Sequence, residues 1–169
     1  MKRLSLFVAA AAVLAAGTTA DAQRGRMGPA MTYVARAGAA DLYEIESSRI
    51  AVRRAERPAV REMAERLIAD HTRSSQQVMA AARADGLRPP PPRLEPRQRA
   101  MIRQLERVRP RMFDELYLSQ QIPAHREALI LHRNQARMGR GDDLRRAATG
   151  IVPVVQGHLT HARQLQRGR

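Results

Sequence analysis

Residues 86–109 read GLRPPPPRLEPRQRAMIRQLERVR, and they interrupt a sequence that is otherwise helical in pattern. Gly86 is suited to end a helix. The four prolines at 89–92 cannot continue one, because proline lacks the amide hydrogen and fixes its own φ angle. A short helical piece is predicted from about Pro96 to Val108. This stretch is therefore predicted to be one long connection that divides the helical sequence into two halves.

Long helices are predicted on both sides of that connection, because apolar residues recur at helical spacing and no segment alternates as a β-strand would. Two helices precede it, over residues 31–55 and 58–85. Two follow it, over residues 110–138 and from about 142 onward, with Asp142 as the predicted N-cap. Within each half only a few residues join the two helices, which predicts antiparallel pairs.

A single long crossover between two helical pairs is typical of ferritin-like proteins. The predicted fold is therefore all-α: a ferritin-like four-helix bundle with a Pro-rich crossover, residues 86–109, between helices 2 and 3. It is expected to form one domain over residues 31–166. A plain four-helix bundle that carries a Pro-rich insertion is the alternative.

The first 22 residues have the pattern of a secretory signal peptide. Two basic residues precede an apolar run, and Ala20-Asp21-Ala22 provides the small residues that signal peptidase requires. The run is shorter than the roughly 20 residues that a membrane-spanning helix needs. We therefore expect residues 1–22 to be removed, 23–30 to be flexible and 167–169 to be a disordered tail. The mature protein is expected to be exported without spanning a membrane, and to stay in the periplasm or associate with the outer membrane.

The chain is strongly basic, with a net charge of +14 over 169 residues. Such a surface attracts anions, so the expected partners are anionic envelope components or a protein. An arginine excess of this kind also results from a high-GC genome. Nucleic acid is not an expected partner of an exported protein, and only 3% of the residues are aromatic, too few for a stacking surface. Because the chain has no cysteine, disulfides and thiolate metal ligands are excluded.

Ionisable residues interrupt the apolar faces of all four predicted long helices, at positions that the helical period places inside or near the inside. They are Asp41 and Glu44 in the first helix, Asp70 and His71 in the second, Asp114, His125 and His132 in the third, and His158 in the fourth. Carboxylate oxygens and imidazole nitrogens together can bind iron, manganese or zinc. Each histidine can equally be a core residue whose ring is hydrogen-bonded to a carbonyl or carboxylate oxygen.

Motifs of well-known enzyme classes are absent from the sequence. The usual di-iron carboxylate bundle needs Glu-x-x-His pairs, and the nearest substitute in this chain is the pair His158 and His161. There is no glycine-rich phosphate loop, and the serines after residue 22 lie within predicted helices rather than at a strand-to-helix elbow. No catalytic residue is therefore predicted.

Several of these residues stand in a combination that resembles a known family. The combination comprises Tyr33-Val34 to Gly38, Glu44 to Ala51, Asp70-His71-Thr72, Phe113-Asp114 with Tyr117, His125 with Ala128-Leu129, and Pro153 followed by His158-Leu159. Over about Thr32 to Leu165 the chain resembles domain-of-unknown-function family 4142. The resemblance implies a ferritin-like helical bundle, bacterial export and labels such as outer membrane protein, without a settled activity. The polar positions that it singles out are Glu44, Asp70, His71, Asp114, Tyr117, His125 and His158.

Two interpretations of function follow, and they belong to different classes. In the first, the bundle binds a transition metal through Asp70, His71, His125 and His158. Glu44 and Asp114 are further ligands or orienting groups. Tyr117 and His132 are polar core residues. In the second, the protein is a non-catalytic envelope or stress-related binding protein whose Arg-rich surface contacts anionic lipids or a protein partner. A metal-dependent oxidase or hydrolase would in addition need a coordination site open to substrate, and the sequence supplies no pocket for one.

Overall fold

The computed structural model of the protein describes residues 28–168, and within that range all regular structure is helical. The elements in chain order are α1 Pro29–Arg54, α2 Pro58–Ala84, α3 Pro96–Arg107, a 3-10 turn Pro110–Met112, α4 Phe113–Met138 and α5 Asp142–Arg167. The all-helical prediction is confirmed. The predicted signal peptide, residues 1–22, lies outside the described residues.

The predicted ends of the chain need correction. Pro29 and Ala30 were expected in the flexible segment 23–30 but belong to α1, because proline is favourable at the first helical position, where no amide donor is needed. Arg167 was expected in the disordered tail but is the last residue of α5. There the amide of Gly168 donates to the carbonyl of Gln164 at 3.0 Å and closes the final helical turn.

The four long helices pack around a common core. α1 packs along α2 and α4 packs along α5, while contacts between α2 and α5 and between α1 and α4 join the two pairs. Residues 55–57 and 139–141 are the only links within the pairs, so the paired helices run in opposite directions. Short α3 lies on the outside of this core, against α1 and α4.

The proline segment reaches its place because α1 has a glycine where the two meet. A side-chain carbon added at Gly38 would lie 3.1 Å from the Cγ atom of Pro92, which is tighter than nine in ten real contacts of that kind. Glycine at this position therefore allows the extended chain to lie directly against α1.

The end of α3 is anchored by a single arginine from the last turn of α1. The guanidinium of Arg54 donates to the carbonyl of Glu106 at 2.6 Å and also to the carbonyls of Leu105 and Val108. The same group lies over the ring of Phe113, 5.2 Å from its centroid. Arg54 thus satisfies carbonyl groups that α3 leaves without partners at its C-terminus.

Gly86 ends α2, as predicted, and it does so with a positive φ of 77°. Its amide donates to the carbonyl of Arg83 at 3.0 Å, and the amide of Leu87 donates to the carbonyl of Ala82 at 2.8 Å. These two bonds form a Schellman motif, which requires a left-handed residue and therefore favours glycine.

The N-terminus of α5 is capped differently from the prediction. Gly141, with φ 88°, is the N-cap, and Asp142 is already helical. The carboxylate that caps the helix belongs to Asp85 at the end of α2. It accepts hydrogen bonds from the backbone amides of Asp143 at 3.1 Å and Leu144 at 2.9 Å. The predicted N-cap was wrong because a side chain from another helix already satisfies these donors.

No helix within residues 28–168 combines enough length with enough apolar character to cross a bilayer.

We expect Asp85→Ala to lower the free energy of unfolding by about 1 to 2 kcal/mol, because two helix-terminal amides lose their acceptor. Urea unfolding followed by circular dichroism measures the change. The control is Asp142→Ala, which removes an exposed side chain and should change stability by less than about 0.5 kcal/mol. A larger loss for Asp142→Ala than for Asp85→Ala would contradict the assignment of the cap.

Candidate metal centre

Three histidines from three different helices meet in the core. His71 of α2, His125 of α4 and His158 of α5 have ring centroids 5.5 Å apart (71 to 125), 5.4 Å apart (71 to 158) and 5.5 Å apart (125 to 158). One ring nitrogen of each lies within 4.8 Å of one ring nitrogen of each of the others. The three rings therefore form a nearly equilateral triangle.

Apolar packing in the same helices places the three rings. His71 follows the buried Leu67 by one turn, and His158 follows the buried Val155, so both continue apolar faces. The exposed fractions of His71, His125 and His158 are 3%, 0% and 6%. Burial of neighbouring apolar residues thus draws three polar rings into the interior.

Two of the rings are held by carboxylates. His71 Nδ1 lies 2.8 Å from the Oδ1 atom of Asp41, which α1 contributes and which is itself only 1% exposed. His158 Nε2 lies 2.9 Å from the Oδ2 atom of Asp70. Each contact joins one helix to another, and each fixes the orientation of its ring and makes the nitrogen that faces the carboxylate the donor.

The third ring is held by the backbone. His125 Nδ1 lies 2.9 Å from the carbonyl oxygen of Gln121, one turn earlier in α4. The Oε1 atom of Glu44 is 3.7 Å from the same nitrogen. Glu44 therefore lies beside the nitrogen that already has a partner, where it is placed to orient His125.

The other nitrogen of each ring has no partner. Within residues 28–168, nothing hydrogen-bonds to His71 Nε2, His125 Nε2 or His158 Nδ1, and all three atoms are buried. A buried polar atom without a partner costs about 1 to 3 kcal/mol. One ring nitrogen tied to a carboxylate or carbonyl and the other left free is the arrangement of metal-binding histidines.

The three rings differ in the direction in which their pKa values are shifted. Burial lowers the pKa of His125 to about 3, with the positive charge of His71 adding to the effect, and burial also lowers the pKa of His158. Burial opposes protonation of His71 as well, but the hydrogen bond and negative charge of Asp41 outweigh it and raise its pKa. His125 is thus a neutral ring at neutral pH, as a metal ligand must be.

Glu44 is a buried carboxyl group with an unusual proton affinity. Burial raises its pKa to about 7, and the charge of Asp41 contributes to the rise. Its Oε2 atom has no hydrogen-bond partner in the part of the chain that the structure describes. Glu44 is therefore a neighbour of the histidine cluster that can exchange a proton near neutral pH.

Asp114, a predicted ligand or orienting group, lies elsewhere. Its carboxylate accepts the backbone amides of Glu56 at 3.1 Å and Arg57 at 3.0 Å, immediately before α2 begins. These amides precede a helix N-terminus, where a negative charge is favourable. Asp114 holds the turn between α1 and α2 and is not part of the histidine cluster.

Tyr117 and His132, the predicted polar core residues, are both buried and form separate pairs. The hydroxyl of Tyr117 lies 2.8 Å from the Oγ atom of Ser48, and burial raises the pKa of the tyrosine. His132 Nδ1 lies 3.0 Å from the hydroxyl of Tyr33, and the two rings meet edge to face at 83°. Neither residue contributes an atom to the triangle of histidines.

Asp41 and the carbonyl of Gln121 are the parts of the site that the predicted ligand set omits. Asp41 lies on the apolar face of the first helix, three residues before Glu44, so the same spacing that selects Glu44 also signals Asp41. Gln121 has no such signal, because it acts through its backbone oxygen and any residue supplies one.

A cavity of about 110 Å³ connects the cluster with the surface between α2 and α5. His71 and His158 form part of its wall, with Ser74, Gln77 and Gly150 further out. His125 does not line it and is fully buried behind the other two rings. His71 and His158 are therefore the two members of the cluster that lie next to this cavity.

Together, fold and site define an all-helical protein with three buried histidines that face one another. The chain belongs to the family described as Domain of unknown function (DUF4142), whose sequence profile matches residues 15–165. No curated protein matches the chain.

Solved structures with similar folds were found at low sequence identity. "CopM in the Cu(I)-bound form" superposes with a TM-score of 0.70 at 16% identity, over 84% of this chain and 98% of that one. "Crystal structure of DUF305 fragment from Deinococcus radiodurans" has a TM-score of 0.70 at 17% identity, over 83% and 97% of the two chains. "CopM in the Cu(II)-bound form" has a TM-score of 0.69 at 16% identity, over 82% and 96%. At these identities the likeness establishes a shared helical fold.

Acid is expected to destabilise the protein through His132 in a defined pH window. Burial lowers the folded-state pKa of His132 from 6.5 to about 4. Below pH 6.5 the unfolded chain therefore binds a proton that the folded chain does not, and stability is lost as the pH falls towards 4. Between pH 6 and pH 5, the free energy of unfolding should fall by about 1 kcal/mol less in His132→Gln than in the unchanged protein. Urea unfolding at each pH measures this difference. Parallel losses in the two proteins would show that His132 is not the titrating group.

Proposed function

We propose that this protein binds one transition-metal ion through His71, His125 and His158. The observation that carries the proposal is the set of three buried ring nitrogens without partners, each on a ring whose other nitrogen is already held. In a purely structural core these atoms would be expected to have hydrogen-bond partners, since each one left unpaired in the interior costs free energy. A metal ion satisfies all three at once.

The donor set favours copper or zinc over manganese. Three imidazole nitrogens suit zinc, copper, iron and nickel, whereas manganese prefers oxygen ligands. The carboxylates of Asp41 and Asp70 face the nitrogens that point away from the ion, so they act as orienting groups and not as ligands. The copper-bound and silver-bound CopM structures, which share the fold, support a soft or borderline metal.

Uptake of a metal ion would displace a proton from one ring, that of His71. His71 has a raised pKa and is the ring that holds a proton most firmly, while His125 is neutral. A metal ion competes with that proton, so the affinity falls as the pH is lowered. The buried carboxylate of Asp41 keeps its hydrogen bond to His71 in both states.

We also propose the setting in which the site works. The packing of two helical pairs joined by one long connection supports a ferritin-like four-helix bundle with a Pro-rich crossover, in a single domain. The signal-peptide pattern of residues 1–22 supports export to the periplasm or outer membrane. Cell fractionation tests the location.

Metal content tests the proposed site directly. Protein produced without an affinity tag is offered iron, manganese, zinc and copper separately, desalted and measured by elemental mass spectrometry. We expect close to one ion per chain of at least one metal, and its loss in the variant that combines His71→Ala with His158→Ala. The control is His161→Ala, which removes a partly exposed histidine three residues after His158 and should keep the metal. No uptake of any of the four metals would sink the proposal.

Asp41→Asn and Asp70→Asn test the orienting carboxylates. Each should weaken metal binding by about 10- to 100-fold, because the ligand ring loses the partner that fixes its orientation and strengthens its basicity. Competition against a chromophoric chelator measures the affinity. The matched control is Asp114→Asn, the same change at a carboxylate outside the cluster, which should leave the affinity unchanged. Equal effects at all three positions would mean that stability, and not ring orientation, controls binding.

A second function is favoured by the surface of α3. Arg99, Arg103 and Arg107 are all exposed and four residues apart, so they form one basic stripe along the helix. We propose that this stripe contacts anionic phospholipid, with each arginine adding attraction to the headgroups. Ile102 and Leu105 are buried on the opposite side of α3, so the stripe faces solvent.

Vesicle sedimentation tests the basic stripe. Binding to vesicles that contain phosphatidylglycerol should be strong at low salt, decline steeply as salt screens the charges, and be absent with neutral vesicles. Replacing Arg99, Arg103 and Arg107 with glutamine should weaken it more than replacing Arg73, Arg83 and Arg133, which are exposed on other helices. Equal losses for the two triple variants would attribute binding to the overall charge and not to the stripe.

A further inference from the structure

The cavity beside the histidine cluster has one feature that the three rings do not explain. Ser74 is 7% exposed, and its Oγ atom is buried without a hydrogen-bond partner among residues 28–168. The residue follows His71 by three positions, which places both on the same face of α2, and both line the cavity. A buried hydroxyl that reaches a cavity and donates to nothing is available to a ligand.

The cavity also approaches the cluster from a defined direction. His71 and His158 line it, whereas His125 does not and is 0% exposed. An ion held by all three nitrogens would therefore have the cavity on the side of His71 and His158. With a volume of about 110 Å³, the cavity holds more than one water-sized molecule.

We propose that the metal ion keeps one exchangeable coordination position, which opens into this cavity and takes a small anion that accepts a hydrogen bond from Ser74 Oγ. This inference rests on the proposed function, since it needs the ion. Three protein ligands with a fourth position left to solvent are typical of reactive metal sites, whereas closed structural sites use four protein ligands.

The exchange itself is a simple ligand substitution. A water molecule leaves the fourth position, the anion donates a lone pair to the ion in its place, and the oxidation state of the metal does not change. The positive charge of the ion favours an anion over a neutral molecule. The walls near the cluster, Ile151 and Val155, are apolar, so the ligand must be small, with its polar end at the ion and at Ser74.

Azide is a suitable probe because it is a small anion and gives a charge-transfer absorption when it binds Cu(II). The protein is loaded with Cu(II), which nitrogen sites bind most tightly among divalent first-row metals, and desalted. We expect saturable appearance of the absorption on titration with azide. In Ser74→Ala the dissociation constant of azide should rise about tenfold, because one hydrogen bond to a charged ligand is lost, while the copper content stays the same.

Two glycines of α5 provide a matched pair of further variants. A side-chain carbon added at Gly150 or at Gly157 would meet nothing within 4 Å, so both positions should accept leucine. Gly150 lines the cavity and Gly157 does not. We expect Gly150→Leu to weaken azide binding at least tenfold by obstructing the mouth of the cavity, and Gly157→Leu to bind azide as the unchanged protein does.

The outcomes separate the two proposals. A protein that takes up none of iron, manganese, zinc and copper overturns the metal site and this inference with it. A protein that takes up one copper ion per chain but shows no change with azide has a closed site, and only the inference fails. Equal azide affinity in Ser74→Ala, Gly150→Leu and the unchanged protein would likewise overturn the assignment of this cavity, because the anion would then reach the ion by another route.

Discussion

The hydrogen bond between Asp41 and His71 is the interaction that orders the histidine cluster. A carboxylate that is 1% exposed must be paired, because an isolated buried charge is far too costly. The 2.8 Å contact with His71 Nδ1 pairs it, joins α1 to α2 and fixes the ring so that its other nitrogen is left free. Removing either partner leaves an uncompensated buried group, so the pair constrains the sequence of both helices.

This pair also sets the charge of the whole cluster. Asp41 favours a proton on His71, and the resulting positive charge helps to keep His125 neutral. Neighbouring imidazoles at about 5.5 Å cannot all be charged in a buried space, so only one of them is stabilised as a cation. The result is an interior that holds uncharged ring nitrogens beside the cavity that His71 and His158 line.

Much of the fold follows from local signals. Helical spacing of apolar residues, prolines at helix starts and Gly86 at the end of α2 predict the elements to within a few residues. The start of α5 could not be predicted in this way, since its cap is Asp85, which is 59 residues away from Leu144 in sequence and is brought there only by packing. The role of Asp114 in the turn before α2 could not be predicted for the same reason, because the amides that it accepts from belong to a different part of the sequence.

The sequence by itself determined that the chain is helical and where its long helices lie. It also determined the inward direction of six ionisable residues: Asp41, Glu44, His71, His125, His132 and His158. Periodicity fixes the angle of a residue around its helix, and helix rise fixes its height only within that helix. At about 1.5 Å per residue, Asp114 lies roughly 16 Å from His125 along α4, and His132 lies roughly 10 Å from it. Only the tertiary structure decided that His71 and His158 stand at the height of His125, because the relative heights of helices depend on how their side chains pack.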